Sequence, residues 1–119
     1  MSQLIGTMTF KKFTGEKLEH VSDYVTAYVD EHKPVDIAII IGTDSQNRGR
    51  CTVYSTVIVL CTPGHGGHCI FRRWKTEKER IRQVRLLKEV EESINLANEL
   101  VANGCPKPKY IDIDVNPNP

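Results

Sequence analysis

Four carboxylates hold most of the chemical potential of this 119-residue sequence. Asp44 follows Val35–Gly42 (VDIAIIIG), whose unbroken apolar run suits a strand buried on both faces, so the acid is expected just past a strand end. Ligands gather at the carboxyl ends of central strands in open α/β sheets, which places Asp44 well for a reaction, although Asp44 and Ser45 could equally cap a turn. Asp112 and Asp114 lie two residues apart in YIDIDV and share one face of a strand, with Ile111, Ile113 and Val115 on the other. On an exposed edge that face is merely solvated. Beside a central strand the two like charges call for a cation. On the preceding helix, steps of 100° put Glu91 at the edge of the apolar stripe between Leu87 and Ile94, with Glu89 as second choice and Glu92 pointing away. Most helix glutamates face solvent. If Asp44, Glu91 and a strand aspartate converge, they form the oxygen donor set that Mg²⁺ or Mn²⁺ prefers, and the chemistry is metal-assisted phosphoryl transfer.

A second constellation is basic. Arg72, Arg73, Lys75, Lys78, Arg80, Arg82, Arg85 and Lys88 are eight of the sixteen Lys and Arg, opposed within their stretch only by Glu77 and Glu79. Cations in the first turns of a helix oppose its macrodipole, so stability alone does not favour them there, and phosphate contacts are a natural use. A solvated face is the plainer account. Trp74 and Phe71 beside the patch are candidates to stack on a base, or else core residues. Cys61, His65, His68 and Cys69 are of zinc-ligating type, but C-x3-H-x2-H-C matches no familiar zinc spacing, and a hairpin turn explains the glycines around His65. Ser45 has no histidine partner outside that hairpin, which gives a nucleophilic hydrolase little support.

The elements that must position these residues follow from periodicity. Gly15–His32 reads as a helix with Leu18, Val21, Val25, Tyr28 and Val29 on one face, capped by Thr14 and ended by Pro34. After the strand Val35–Gly42, GTDSQNRGR reads as a polar loop. Thr52–Cys61 and His68–Trp74 read as two strands of a hairpin across Pro63–Gly67. Thr76-Glu77-Lys78-Glu79 has the capping-box pattern, predicting a long helix whose stripe is Val84, Leu87, Val90, Ile94, Ala97 and Val101 and which stops at Gly104. Tyr110–Val115 closes the series as a strand. The expected order is helix, three strands, helix, strand.

Composition sets the outer limits. A chain of this length suits one domain, and 39% hydrophobic with 26% charged residues describes an ordinary globular composition rather than a disordered or fibrous one. The net charge of +1 points by itself to no polyanionic partner. No run of eighteen apolar residues occurs, and Met1–Phe10 lacks a signal peptide's charged start and apolar stretch, so a cytoplasmic protein with reduced cysteines is expected.

IIIGTDSQ (Ile39–Gln46), TVYSTVIVL, the E-x-x-S-I-x-L-A segment around Glu91–Ala97 and YIDIDVNP (Tyr110–Pro117) together resemble the YkuK-type family of ribonuclease H-like nucleases. The resemblance runs from about Phe13 to the C-terminus and is most specific at IGTDSQ and IDIDVN. It implies a single ribonuclease H-like α/β domain over 1–119, with 1–34 as an N-terminal helical extension and 35–119 as the core: a three-stranded antiparallel meander, a helix, and a parallel strand beside the first. It further implies catalytic carboxylates at Asp44, at a glutamate of the helix after the meander, for which Glu91 is chosen by its facing, and at Asp112, with Asp114 as close rival of Asp112. Asp44, Glu91 and Asp112 would hold Mg²⁺ or Mn²⁺ for a two-metal attack of water on a phosphodiester of RNA or DNA. Family members continue with a further helix, strand and helix, whereas this sequence stops at Pro119. The expectation is therefore a C-terminally shortened core that is truncated, covered by a second copy or partner chain, or a nucleic-acid- or protein-binding module that does not cut.

Overall fold

The computed structural model describes residues 9–112. Along them run β1 (Phe10–Lys12), β2 (Lys17–Leu18), α1 (Val21–Glu31), β3 (Ala38–Arg48), β4 (Cys51–Thr62), β5 (Gly66–Glu77), α2 (Arg82–Ala102) and β6 (Tyr110–Asp112). The strands form one sheet in the order β2-β1-β5-β4-β3-β6. β3, β4 and β5 make an antiparallel meander, and β6 lies parallel to β3 with Ile40, Ile41 and Gly42 beside Tyr110, Ile111 and Asp112. Meander, helix and returning parallel strand follow the expected order.

Several boundaries differ from expectation, each for a local reason. β3 does not stop at Gly42 but continues to Arg48, and the expected polar loop contracts to a turn at Gly49 and Arg50 in which Gly49 adopts φ +58°. Polarity fails to end the strand because its polar side chains find partners. Thr43 bonds Thr56 across the sheet at 3.0 Å and Ser93 of α2 at 2.8 Å. α1 begins at Val21 rather than Gly15, because Phe10–Leu18 folds into the β1–β2 hairpin, with Gly15 at φ +93° in its turn. Thr14 therefore caps no helix, and the N-terminal segment expected to be helical also adds two strands to the sheet through β1 and β5.

The capping box at Thr76–Glu79 does not form. β5 stays paired to β4 as far as Glu77, Thr76 is buried with its hydroxyl donating to the Glu77 carbonyl at 2.9 Å, and α2 starts at Arg82. The connection is instead held from the sheet. The Glu79 amide donates to Thr52 Oγ1 at 2.8 Å, and Asn47 Nδ2 donates to the Glu79 carbonyl at 3.1 Å.

Alternation along the meander divides the sheet into two faces. Ile39, Ile41, Ile58, Leu60 and Ile70, with Phe10, form the core beneath both helices, joined by Val25 of α1 and Leu96, Ala97 and Leu100 of α2. The other face carries Ile40, Val57, Val59 and Phe71, all half-buried, and among the described residues no helix lies over it. α2 is turned differently from its sequence stripe. Ser93, Leu96, Ala97 and Leu100 are buried, while Val84, Leu87, Ile94 and Val101 are exposed. The cause is the polar sheet surface under its first half, where Thr43, Ser45 and Arg72 draw Ser93, Glu89 and Glu92 inward.

Candidate functional site

The strand registers build the site row by row on the open face. Asp44 of β3 stands opposite Ser55 of β4, and Ser55 opposite Arg73 of β5, so an acid, a hydroxyl and a guanidinium cross three adjacent strands. Arg73 Nε donates to Ser55 Oγ at 3.3 Å. One row toward β6, the register aligns Asp112, Gly42, Val57, Phe71 and Lys11. One row the other way, Gln46, Val53 and Lys75 align. Asp44 is exposed at the rim of a shallow concavity of about 440 Å³ lined by Ile40, Gly42, Ser55, Val57 and Val59. Gly42, which has no side chain, lines that concavity beside Asp44.

Of the carboxylates singled out by sequence, Asp44 is thus placed on this face and Asp112 at the neighbouring register position of β6. Asp114 lies outside the described residues. Glu91 is on α2, beyond the other face of the sheet, and is exposed there. The glutamates that face the sheet are Glu89 and Glu92, reversing the expected order. Ser45 Oγ donates to Glu89 Oε2 at 2.5 Å and accepts from Arg85 Nη1 at 3.2 Å, while Glu92 lies 3.6 Å from Arg72. The helix carboxylates are separated from Asp44 by the thickness of the sheet. Among the described residues no three His, Cys, Asp or Glu side chains gather to hold a metal ion.

The basic stretch is divided by the same alternation. Arg73 and Lys75 are exposed on the open face, and Lys78 and Arg80 on the connection to α2. Arg72 and Arg85 turn to the helix side. Arg72 lies against the rings of Phe10 and Trp74, with centroid distances of 4.9 and 5.4 Å. Burial lowers its pKa, and the Glu92 carboxylate works the other way. Arg82 sits half-exposed in the first turn of α2. Trp74 is buried, stacked on Tyr54 at 5.4 Å, and burial raises the Tyr54 hydroxyl above the usual phenol range. Phe71 remains on the open face, 5.4 Å from the largely exposed Phe13.

The Cys and His cluster is dispersed by strand geometry. His68 faces the helices, where its Nε2 meets the Tyr24 hydroxyl at 2.6 Å and its ring stacks on Tyr28. Cys69, the next residue, points to the other face. Sequence reading missed the row Asp44–Ser55–Arg73, because it ended β3 before Asp44; the uninterrupted alternation of TVYSTVIVL was the signal that a partner strand of equal length was needed.

Comparison with known proteins agrees with this architecture. A family model described as Ribonuclease H-like matches residues 20–118. No curated protein and no solved structure matches the chain. The match spans α1, the meander, α2 and β6 together, and the mixed sheet with its single parallel pair has the corresponding fold; the chain belongs to the ribonuclease H-like family.

Proposed function

We propose that the chain is a metal-dependent nuclease that hydrolyses phosphodiester bonds of RNA or DNA at the open face of the sheet. The observation that carries the reading is the row Asp44–Ser55–Arg73 with Asp112 at the adjoining register position, acid on one side and guanidinium on the other. The donors at that end are all oxygen, of the type that suits Mg²⁺ or Mn²⁺, and Mg²⁺ is commonly bound by one or two carboxylates with water and substrate phosphate filling the remainder. Asp44 and Asp112 would hold such an ion, with Asp114 as the further donor for a second. Glu91 is left out of the set, because α2 keeps it beyond the opposite face. Bound there, the ion supplies Lewis-acid chemistry, favouring ionisation of water and offsetting charge at a phosphoryl group. Arg73 and Lys75 neutralise and position the phosphates, and Ser55 orients the Arg73 guanidinium through its hydrogen bond.

The direct test is incubation with single-stranded, duplex and hybrid substrates in Mg²⁺ or Mn²⁺. Cleavage that disappears in Asp44→Asn and Asp112→Asn is expected; cleavage that survives both overturns the reading. A second reading is favoured by the position of the helix carboxylates, which leaves Asp44 with no glutamate beside it among the described residues. In that case the chain binds nucleic acid without cutting, and salt-dependent binding appears with no cleavage in either metal.

A further inference from the structure

We propose that the outer face of α2 is a self-association surface on which two copies of this chain pair antiparallel. Val84, Leu87, Ile94 and Val101 recur at helical spacing on that face, and Leu87 is 70% exposed. With Ile81 at the helix start, also exposed, the stripe runs the length of a 21-residue helix, about 30 Å. Soluble monomers rarely leave so many large apolar side chains along one helix face in water.

The occupant follows from charge. Exposed Arg80 and the half-exposed Lys88 flank the N-terminal half of the stripe, the exposed Glu99 flanks the C-terminal half, and Glu91 lies near the middle of the helix. Parallel copies would set like charge against like. Antiparallel copies set basic against acidic at both ends, as a two-fold axis near the middle of the helix requires. The helix dipole points the same way. α2 has no acidic residue in its first turn and no basic residue in its last, so its own side chains do not complement its dipole. The opposite end of an antiparallel copy supplies the missing complement. Glu91 and Asn98 interrupt the apolar seam, which makes the pair a concentration-dependent dimer rather than an obligate one.

Sedimentation equilibrium of the full chain from about 1 to about 500 μM tests this, since small interfaces dissociate in that range. A monomer–dimer equilibrium is expected, and Leu87→Glu is expected to raise its dissociation constant at least about tenfold with an unchanged circular dichroism spectrum. Arg80→Glu with Lys88→Glu should weaken the dimer, and adding Glu99→Lys should restore it in part. In a parallel pair like faces like throughout, so none of these charge changes would matter. A monomer at every concentration, a dimer indifferent to Leu87→Glu, or one indifferent to the charge reversals overturns the proposal.

Discussion

Asp44 and Ser45 are neighbours in sequence with opposite fates, and the difference shows how a single residue step assigns a side chain to one face of the sheet or the other. Asp44 meets the open face, whereas Ser45 is sealed under α2 between Glu89 and Arg85. Glu91 and Glu92 divide in the same manner, one in solvent and the other held to a guanidinium that is itself 13% exposed. Removing Glu92 takes away the Arg72 ion pair and leaves that charge against rings in a desolvated pocket, which costs about 1–3 kcal/mol. An exposed helix glutamate costs within about 0.5 kcal/mol. Glu92→Ala should therefore lower the urea midpoint of unfolding far more than Glu91→Ala, with the slope of the transition unchanged. Equal effects would mean that the helix is turned as its apolar stripe suggests. Sequence could not supply the facing, because a hydrophobic stripe locates the buried side of a helix only where the surface beneath it is apolar. Here Thr43, Ser45 and Arg72 make that surface polar.

At the level of elements, the strand runs, the hairpin and the returning strand were legible because β-branched residues and glycines mark them plainly. What was not legible was the continuation of β3 through polar residues, since Thr43, Ser45 and Asn47 satisfy their side chains only through partners on α2, β4 and the connection to α2. The basic stretch read as one patch in sequence, yet β5 sends Arg72 inward and Arg73 and Lys75 outward. In the proposed function, phosphate contact therefore falls to alternate residues. Arg73→Ala and Lys75→Ala should each weaken nucleic-acid binding and reduce the slope of log affinity against log salt by about 0.7–0.9 for each phosphate that is no longer neutralised. Arg72→Ala should instead lower stability and leave that slope unchanged. Salt titrations of binding beside denaturation curves separate the outcomes, and a slope indifferent to Arg73 and Lys75 would remove the open face from nucleic-acid contact.

For the whole molecule, the sheet is a partition. One face holds both helices, the core and the buried Thr43–Thr56 and Thr43–Ser93 hydrogen bonds; the other carries Asp44, Ser55, Arg73 and Lys75. In the proposed function, stability and chemistry fall to opposite sides of the same strands, so the proposed metal site can be tested without relying on cleavage. An ion that binds only the folded chain stabilises it by about 1.4 kcal/mol when present at ten times its dissociation constant. For a chain of 119 residues that shift corresponds to about 3–6 °C in the unfolding midpoint. Mn²⁺ is expected to raise the midpoint of the unaltered protein by that amount and to leave Asp44→Asn unmoved. Because Asp44 is exposed, the substitution should not lower the midpoint measured in chelator. A variant that still gains stability from Mn²⁺ would place the ion elsewhere. A variant already destabilised in chelator would show Asp44 to be part of the framework, contrary to the division of labour between the two faces.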